Sequence, residues 1–357
     1  MEMKKYIFII FIAFAAFVIA CQKDKEIVVS DKTQTTDTPA TPYTLVTPIG
    51  FPAIVIPANN PMTVEGIALG RKLFYDPLLS LDNTQSCASC HRQNFAFADS
   101  NTQFSKGITG ELGTRNAPST MNLAWEKKFF WDGGAVTLED QVIGPIQNPV
   151  EMHETLKNVL NKLQKHAEYP RLFKRAFGTD SITSMLLMKA VAQFERTIIS
   201  SNSKYDKYVR GEVELSIDEL RGKELFSDEK KGDCFHCHVT GSTFTDFEFR
   251  NNGLDSVFKD LGRYRVTLNK ADSGKFKTST LRNIELTAPY MHDGRFKTLE
   301  QVLEHYNNGF VVTSTTDVNI ALAEKGRLNE LEKTQIIAFL KTLTDYDFIT
   351  NPNFKKP

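Results

Sequence analysis

Cys87-Ala88-Ser89-Cys90-His91 and Cys234-Phe235-His236-Cys237-His238 are two copies of one spacing, Cys-x-x-Cys-His. That spacing attaches c-type haem. The two thiols add to the haem vinyl groups as thioethers, and the adjoining histidine reaches the iron as its proximal ligand. Two complete copies predict two covalently bound haem c groups, with His91 and His238 on iron and Cys87, Cys90, Cys234 and Cys237 as the attachment points. The chain has five cysteines, and the fifth, Cys21, lies far upstream. The motifs therefore use every other cysteine and leave none for a long-range disulfide. A zinc site built from two Cys-x-x-Cys pairs has them about 15–20 residues apart, far closer than Cys90 and Cys234. A thioredoxin-like pair needs a βαβ pattern, which is missing. His236, inside the second motif, reads as a surface filler because His238 already supplies the ligand.

Outward from the motifs, the chain repeats itself. Gly70-Arg71-Lys72-Leu73-Phe74 precedes the first motif and Gly222-Lys223-Glu224-Leu225-Phe226 the second. Trp131-Asp132-Gly133 is followed by Thr137-Leu138-Glu139, and His292-Asp293-Gly294 by Thr298-Leu299-Glu300, at the same internal spacing. Arg115-Asn116 echoes Arg282-Asn283. Two copies of one unit, each with its own cysteine pair, is the simplest account.

Helical patterns dominate between these landmarks. Leu187, Ala190, Val191, Phe194 and Ile198 share one helical face, as do Ile336, Phe339, Leu340 and Leu343. Asn329 with Glu332, and Ser216 with Glu219, have the spacing of capping boxes. Alternating strand patterns are few, so the predicted class is all-α, and Gly107 to Asn116 and Asn251 to Gly253 read as long loops. The expected organisation is 1–20 export signal, 21–60 flexible tether, 61–205 and 206–350 as two haem-binding domains.

The N-terminus carries Lys4 and Lys5 and then an apolar run, Tyr6 to Ala20, too short for an ordinary membrane span. It ends in Val18-Ile19-Ala20-Cys21, which resembles the lipobox of bacterial lipoproteins. Cys21 is thus the expected lipid-bearing residue, holding a periplasmic or outer-membrane-associated protein to a membrane outside the cytoplasm. The Thr- and Pro-rich stretch to Asn60 fits a tether. Lysine plus arginine equal aspartate plus glutamate at 43 each. That balance gives no electrostatic footprint for nucleic acid.

Taken together, Arg115-Asn116-Ala117-Pro118-Ser119, Phe130-Trp131-Asp132-Gly133, Asn148-Pro149-Val150-Glu151-Met152 and Ala288-Pro289-Tyr290-Met291-His292-Asp293-Gly294 follow, in order, the pattern of the bacterial dihaem cytochrome c peroxidases. The resemblance covers roughly Pro61 to Thr344 and includes the MauG-like branch. It implies two cytochrome c-like domains, a first haem that reacts with hydrogen peroxide and a second that handles electrons. It implies that Trp131 mediates electron transfer between the haems, and that Gln141 and Glu151 line the peroxide side of the first. It implies a calcium ion held by Asn116, Thr287 and Pro289, and an electron-donor protein such as a small cytochrome c or cupredoxin. Homodimers occur in the family, although this sequence carries no interface signal.

The chain departs from the better-known peroxidases at two positions and resembles the MauG-like branch at both. Ile108 stands where many members have a distal histidine, and isoleucine cannot bind iron. Tyr306 stands where they have a methionine on the second iron. Met291 and His305 are its competitors for that position. The implied activity is peroxide reduction. The alternatives are a MauG-like enzyme that oxidises a partner protein and a non-catalytic dihaem electron carrier.

Overall fold

Gly70 and Gly222, the glycines that open the two repeated stretches, show why the repeat exists. In the computed structural model, which describes residues 39–357, Gly70 lies mid-helix in Val64–Tyr75 and Gly222 mid-helix in Ile217–Ser227. A Cβ on Gly70 would sit 1.9 Å from the Ala190 carbonyl oxygen and 3.0 Å from Phe194 Cβ. A Cβ on Gly222 would meet the Gln335 carbonyl oxygen at 1.9 Å and Phe339 Cβ at 3.0 Å. Each glycine lets its helix press directly against the backbone of a second one, Ser184–Thr197 in the first half and Glu330–Lys341 in the second. Glycine inside a helix costs about 1 kcal/mol against alanine. Both copies carry that cost for the close crossing.

Around each crossing sits the same aromatic triad. Phe74 lies edge-on to Phe97 and Phe194, with centroids 6.1 and 5.4 Å away. Phe226 meets Phe244 and Phe339 at 6.4 and 5.3 Å. All six rings are fully buried, each contributing roughly 2–3 kcal/mol of transfer free energy. The capping boxes expected at Ser216/Glu219 and Asn329/Glu332 are both formed. The fold is mostly helical. The described sheet is a single antiparallel pair, Phe249–Arg250 with Phe276–Lys277.

The backbone repeats beyond the helices. Phe129 bridges Ala135, and Tyr290 bridges Phe296. Phe130 and Met291, Gly133 and Gly294, and Asn122 and Asn283 all have positive φ. One correction follows. Asn122 and Asn283 are the equivalent pair: each is the left-handed residue that starts a short 3-10 turn, Leu123–Trp125 and Ile284–Leu286. Arg282-Asn283 therefore matches Met121-Asn122, and its likeness to Arg115-Asn116 is a likeness of sequence only. Arg282 is fully buried on Asp206, with N–H···O bonds of 2.8 and 2.7 Å. Arg115 instead bridges Asp132 and Asp260 at 2.6 Å each.

Two terminal segments bind the body more extensively than composition suggests. The body reaches upstream of Pro61: Tyr43 N–H donates to Met62 O, Trp125 Nε1 to Pro52 O, and Asn60 is buried. Side-chain contacts with distant helices supply what the Pro- and Thr-rich composition lacks. The expected signal (1–20), Cys21 and the first part of the expected tether lie outside the described residues. At the other end, Phe348 and Phe354 pack into the first-half cluster of Phe74, Phe97 and Phe194. Gln93 Nε2 and Arg71 hold that tail through its carbonyls.

Candidate functional site

The two motifs present the same local device. Each histidine follows the second cysteine of its motif and is turned by a carbonyl six residues on. His91 Nδ1 lies 3.0 Å from Phe97 O, and His238 Nδ1 3.2 Å from Phe244 O. A Nδ1–H donated to a carbonyl fixes the tautomer and leaves Nε2 free as a ligand. Burial lowers the pKa of both imidazoles, which keeps them neutral. None of the four motif cysteines is taken up in a disulfide, so all four remain for thioether attachment. His236 is held by Asp233 at 2.5 Å on the half-exposed side of its motif, apart from His238.

Next to the second motif lies a large, mostly apolar cavity. Cys234, Cys237, His238, Leu299, Val302, Leu340, Met291 and Tyr306 are among the residues that line it. This is the donor set and the wall that a c-type haem needs. Trp131, Asn116, Thr287 and Pro289 also reach this cavity, so the structure gathers residues that are far apart in sequence. Trp131 Nε1 donates to Asn116 O at 2.7 Å, and Asn116 N–H to His292 O at 2.8 Å. The His292 ring stacks flat on Phe276 at 3.6 Å.

Three residues compete for the far side of this cavity, and the geometry separates them. The helix Leu299–Glu304 runs into a π turn, His305–Gly309, a distortion frequent at functional sites. His305 Nε2 is engaged with Asn252 O at 3.0 Å. Tyr306 OH and Met291 Sδ both stay on the cavity, each 3.3 Å from Asn252 Nδ2. Burial pushes the Tyr306 phenol up to about 12, against a smaller lowering by the Asn252 N–H. Asn252 falls in the stretch read as a loop, and nothing in the sequence marked it.

Beside the first motif, the loop carrying Ile108 sits against Glu151. Ile108 N–H donates to Glu151 O at 3.0 Å, and Gln85 Nε2 ties the loop through Lys106 O at 3.0 Å. The Glu151 carboxylate takes a 2.6 Å bond from Asn148 Nδ2. Burial raises its pKa, against the lowering effect of that bond. His153, two residues along the chain from Glu151, is exposed. Gln141 closes the short helix Leu138–Gln141 and donates Nε2 to Glu195 at 3.3 and 3.4 Å. Glu195 is 2% exposed, and burial pushes its carboxyl up to about 8. Both Glu195 and Glu151 act electrostatically on Cys87, so the two carboxyls converge on the first motif. The sequence reading passed over Glu195. A readable signal was present: it lies four residues after Val191 and three before Ile198, on the apolar face.

A helical body with two Cys-x-x-Cys-His stations, one of them backed by a ligand-free loop and a half-buried glutamate, defines a c-type haem protein of redox class. The sequence model of the di-haem cytochrome c peroxidases matches residues 64–214. The chain is 35% identical to the methylamine utilization protein MauG of Methylophilus methylotrophus, over 82% of this chain and 86% of that one. It is 38% identical to the cytochrome c551 peroxidase of Nitrosomonas europaea, over 85% of each chain. A crystal structure of a MauG-like protein associated with microbial copper homeostasis superposes with a TM-score of 0.79 at 35% identity, covering 88% of this chain and 99% of that one. The chain belongs to the di-haem cytochrome c peroxidase and MauG family, and it is an oxidoreductase.

Proposed function

We propose that this protein carries two covalent haem c groups and reduces hydrogen peroxide to water. Two electrons come from an external protein such as a small cytochrome c or cupredoxin, and two protons from solvent. The observation that carries this reading is Glu151, half-buried against a loop whose side chain, Ile108, cannot occupy an iron. The first haem, held by Cys87, Cys90 and His91, supplies the iron that peroxide needs, and the second, held by Cys234, Cys237 and His238, supplies a store of electrons. The protein's share is proton handling and positioning. Glu151 takes the proton from the nearer peroxide oxygen and delivers it to the farther one, general acid–base work for which a raised carboxyl pKa is suited. Its Asn148 bond fixes the carboxylate's direction. Gln141 orients the peroxide. Trp131, which lines the cavity beside the second motif and is anchored to Asn116 O, would carry electrons between the two stations.

The second reading is a MauG-like enzyme that draws its electrons from a partner protein's side chains. Tyr306 favours it, since a phenolate is a hard anionic donor that stabilises ferric iron and lowers its potential. Tyr306 is the assigned ligand of the second iron, with His305 diverted to Asn252 O. Asn116, Thr287 and Pro289 offer amide, hydroxyl and carbonyl oxygens suited to calcium. Among the described residues no cluster of three acidic, histidine or cysteine side chains supplies a charged metal site, so calcium would rest on neutral oxygens. The assigned location is outside the cytoplasm, with lipid on Cys21. Steady-state peroxide turnover with a panel of reduced cytochromes, cupredoxins and small donors tests the function. Rapid oxidation of a carrier supports the peroxidase. Turnover with no carrier, and accumulation of oxidised side chains on an added protein, supports the second reading.

A further inference from the structure

The internal repeat makes Glu195 conspicuous. At the offset that pairs Trp131 with His292, Gln141 corresponds to Val302. At the offset that pairs Ala190 with Gln335 and Phe194 with Phe339 in the two helix crossings, Glu195 corresponds to Leu340. Val302 and Leu340 both line the cavity beside the second motif. The first half therefore puts an amide and a carboxyl at two wall positions where the second half puts two aliphatic side chains. Burying a polar pair in place of an apolar one costs free energy unless the groups are bonded. Here the bond is between the two: Gln141 Nε2 is the hydrogen-bond donor to Glu195, at 3.3 and 3.4 Å. The neighbouring Arg196 makes no bond to Glu195 and lowers its pKa only through space, against the larger effect of burial. Its Nη1 and Nη2 are committed to Glu139 at 2.8 and 2.9 Å.

We propose that Glu195 is a positioning residue for Gln141, and that its protonation decides which end of that amide is turned to the peroxide. This rests on the assignment of Gln141 to the peroxide side of the first haem. An ionised Glu195 only accepts, so it holds Nε2 and leaves Gln141 Oε1 for the pocket. A neutral Glu195 also donates, so it can hold Oε1 and let Gln141 turn an N–H donor to the peroxide. Burial puts the exchange near pH 8. The titratable groups that bear on Glu195 are Arg196, from its own helix, Glu139, from Leu138–Gln141, and Cys87 of the first motif, whose thiol haem attachment would consume. The 64–75 helix meets this helix through Gly66 and Gly70. Its charges are engaged elsewhere, Glu65 with Thr41, Arg71 with the C-terminal tail and Lys72 with Glu168.

The test uses the loaded protein, with both haems verified by mass, as wild type, Glu195→Gln and Glu195→Asp. The ferric spectrum is titrated through the alkaline range without peroxide, and turnover is measured over the same range. The wild type should show a step near pH 8 in the high-spin band of the first haem and in kcat. Glu195→Gln, which cannot ionise, should lose the step in both and lower kcat by about 10-fold or more, the usual size of an outer positioning effect, with KM unchanged. Glu195→Asp should keep a step at a shifted pH. It also serves as the deciding variant if Glu195→Gln does not fold. A Glu195→Gln protein with the wild-type step and wild-type kcat overturns the proposal, as does a Glu195→Asp protein with no step. A wild type that shows the spectral step but turns over no peroxide overturns the peroxidase reading, and the spectra of the variants still decide Glu195.

Discussion

The two halves share a scaffold and differ at its walls. Gly70 and Gly222, the two phenylalanine triads and the two histidine–carbonyl bonds are the same construction made twice. Against that sameness, Pro145 stands in the first half where Tyr306 stands in the second. Gln141 and Glu195 stand where Val302 and Leu340 stand, and Phe130 stands where Met291 stands. The first station thus has an amide and two carboxyls, and Ile108 and Pro145 offer no ligand atom there. The second gains a phenol and aliphatic walls. The duplicated fold is asymmetric through a handful of side chains around a shared frame, which is the difference the proposed division into a reactive iron and an electron store needs.

Removing the acid that distinguishes the first half should have the largest effect. Glu151→Gln keeps the fold and both haems but should lower peroxide turnover by about 10²-fold or more, a typical general acid–base contribution. Near-normal turnover would move proton transfer away from Glu151 and erase the main chemical difference between the halves. The shared frame is tested next. A methyl on Gly70 or on Gly222 would strike a backbone carbonyl 1.9 Å away, so Gly70→Ala and Gly222→Ala should each destabilise by ~1–3 kcal/mol. Denaturant melts of the two variants should give similar losses. A loss confined to one half would mean the crossings are not equivalent.

Most of the frame could be read from the chain, because motif spacing and helical periodicity are local properties. The two motifs, the two capping boxes and the helical faces at 187–198 and 336–343 fall where the sequence puts them. Three features depend on distant partners and were not legible. The Phe348–Phe354 tail crosses to the first-half cluster. Residues 41–60 are held by Trp125, Glu65 and Met62, none of which the Pro-rich composition reveals. The Arg115/Arg282 echo matched by letters and not by backbone, since the register is fixed by paired positive-φ residues and bridges, Asn122 with Asn283 among them. Glu195 is different in kind. Its place on an apolar helical face was visible, and only its partner Gln141 gives that place a meaning.

A further test probes whether the first station is truly open. With Ile108 on the loop beside Glu151 and His153 exposed, the resting ferric protein should show a high-spin component by electron spin resonance and react with peroxide without prior reduction. Two low-spin ferric haems, inert until reduced, would mean that another side chain closes the first iron and that the halves are less different than Pro145 and Tyr306 imply.

The smallest effect is expected at Met291, and it separates the two branches of the family. Met291 and Tyr306 share the same N–H donor, each 3.3 Å from Asn252 Nδ2, so proximity alone does not choose between them. Nor does the repeat: Met291 occupies the position of Phe130 and Tyr306 that of Pro145, and neither counterpart carries a ligand atom. The π turn and the chemistry of the donor decide. Tyr306 lies in the π turn, which displaces it from the regular helix, and its oxygen is the harder, anionic donor that ferric iron prefers. Tyr306→Phe should therefore change the low-spin ferric spectrum and raise the second haem's potential, while Met291→Leu, a volume-conserving exchange, should leave both nearly as they were. A sulfur-to-iron charge-transfer band in the wild type, lost in Met291→Leu and kept in Tyr306→Phe, would assign the methionine and return the second station to the ordinary peroxidase pattern.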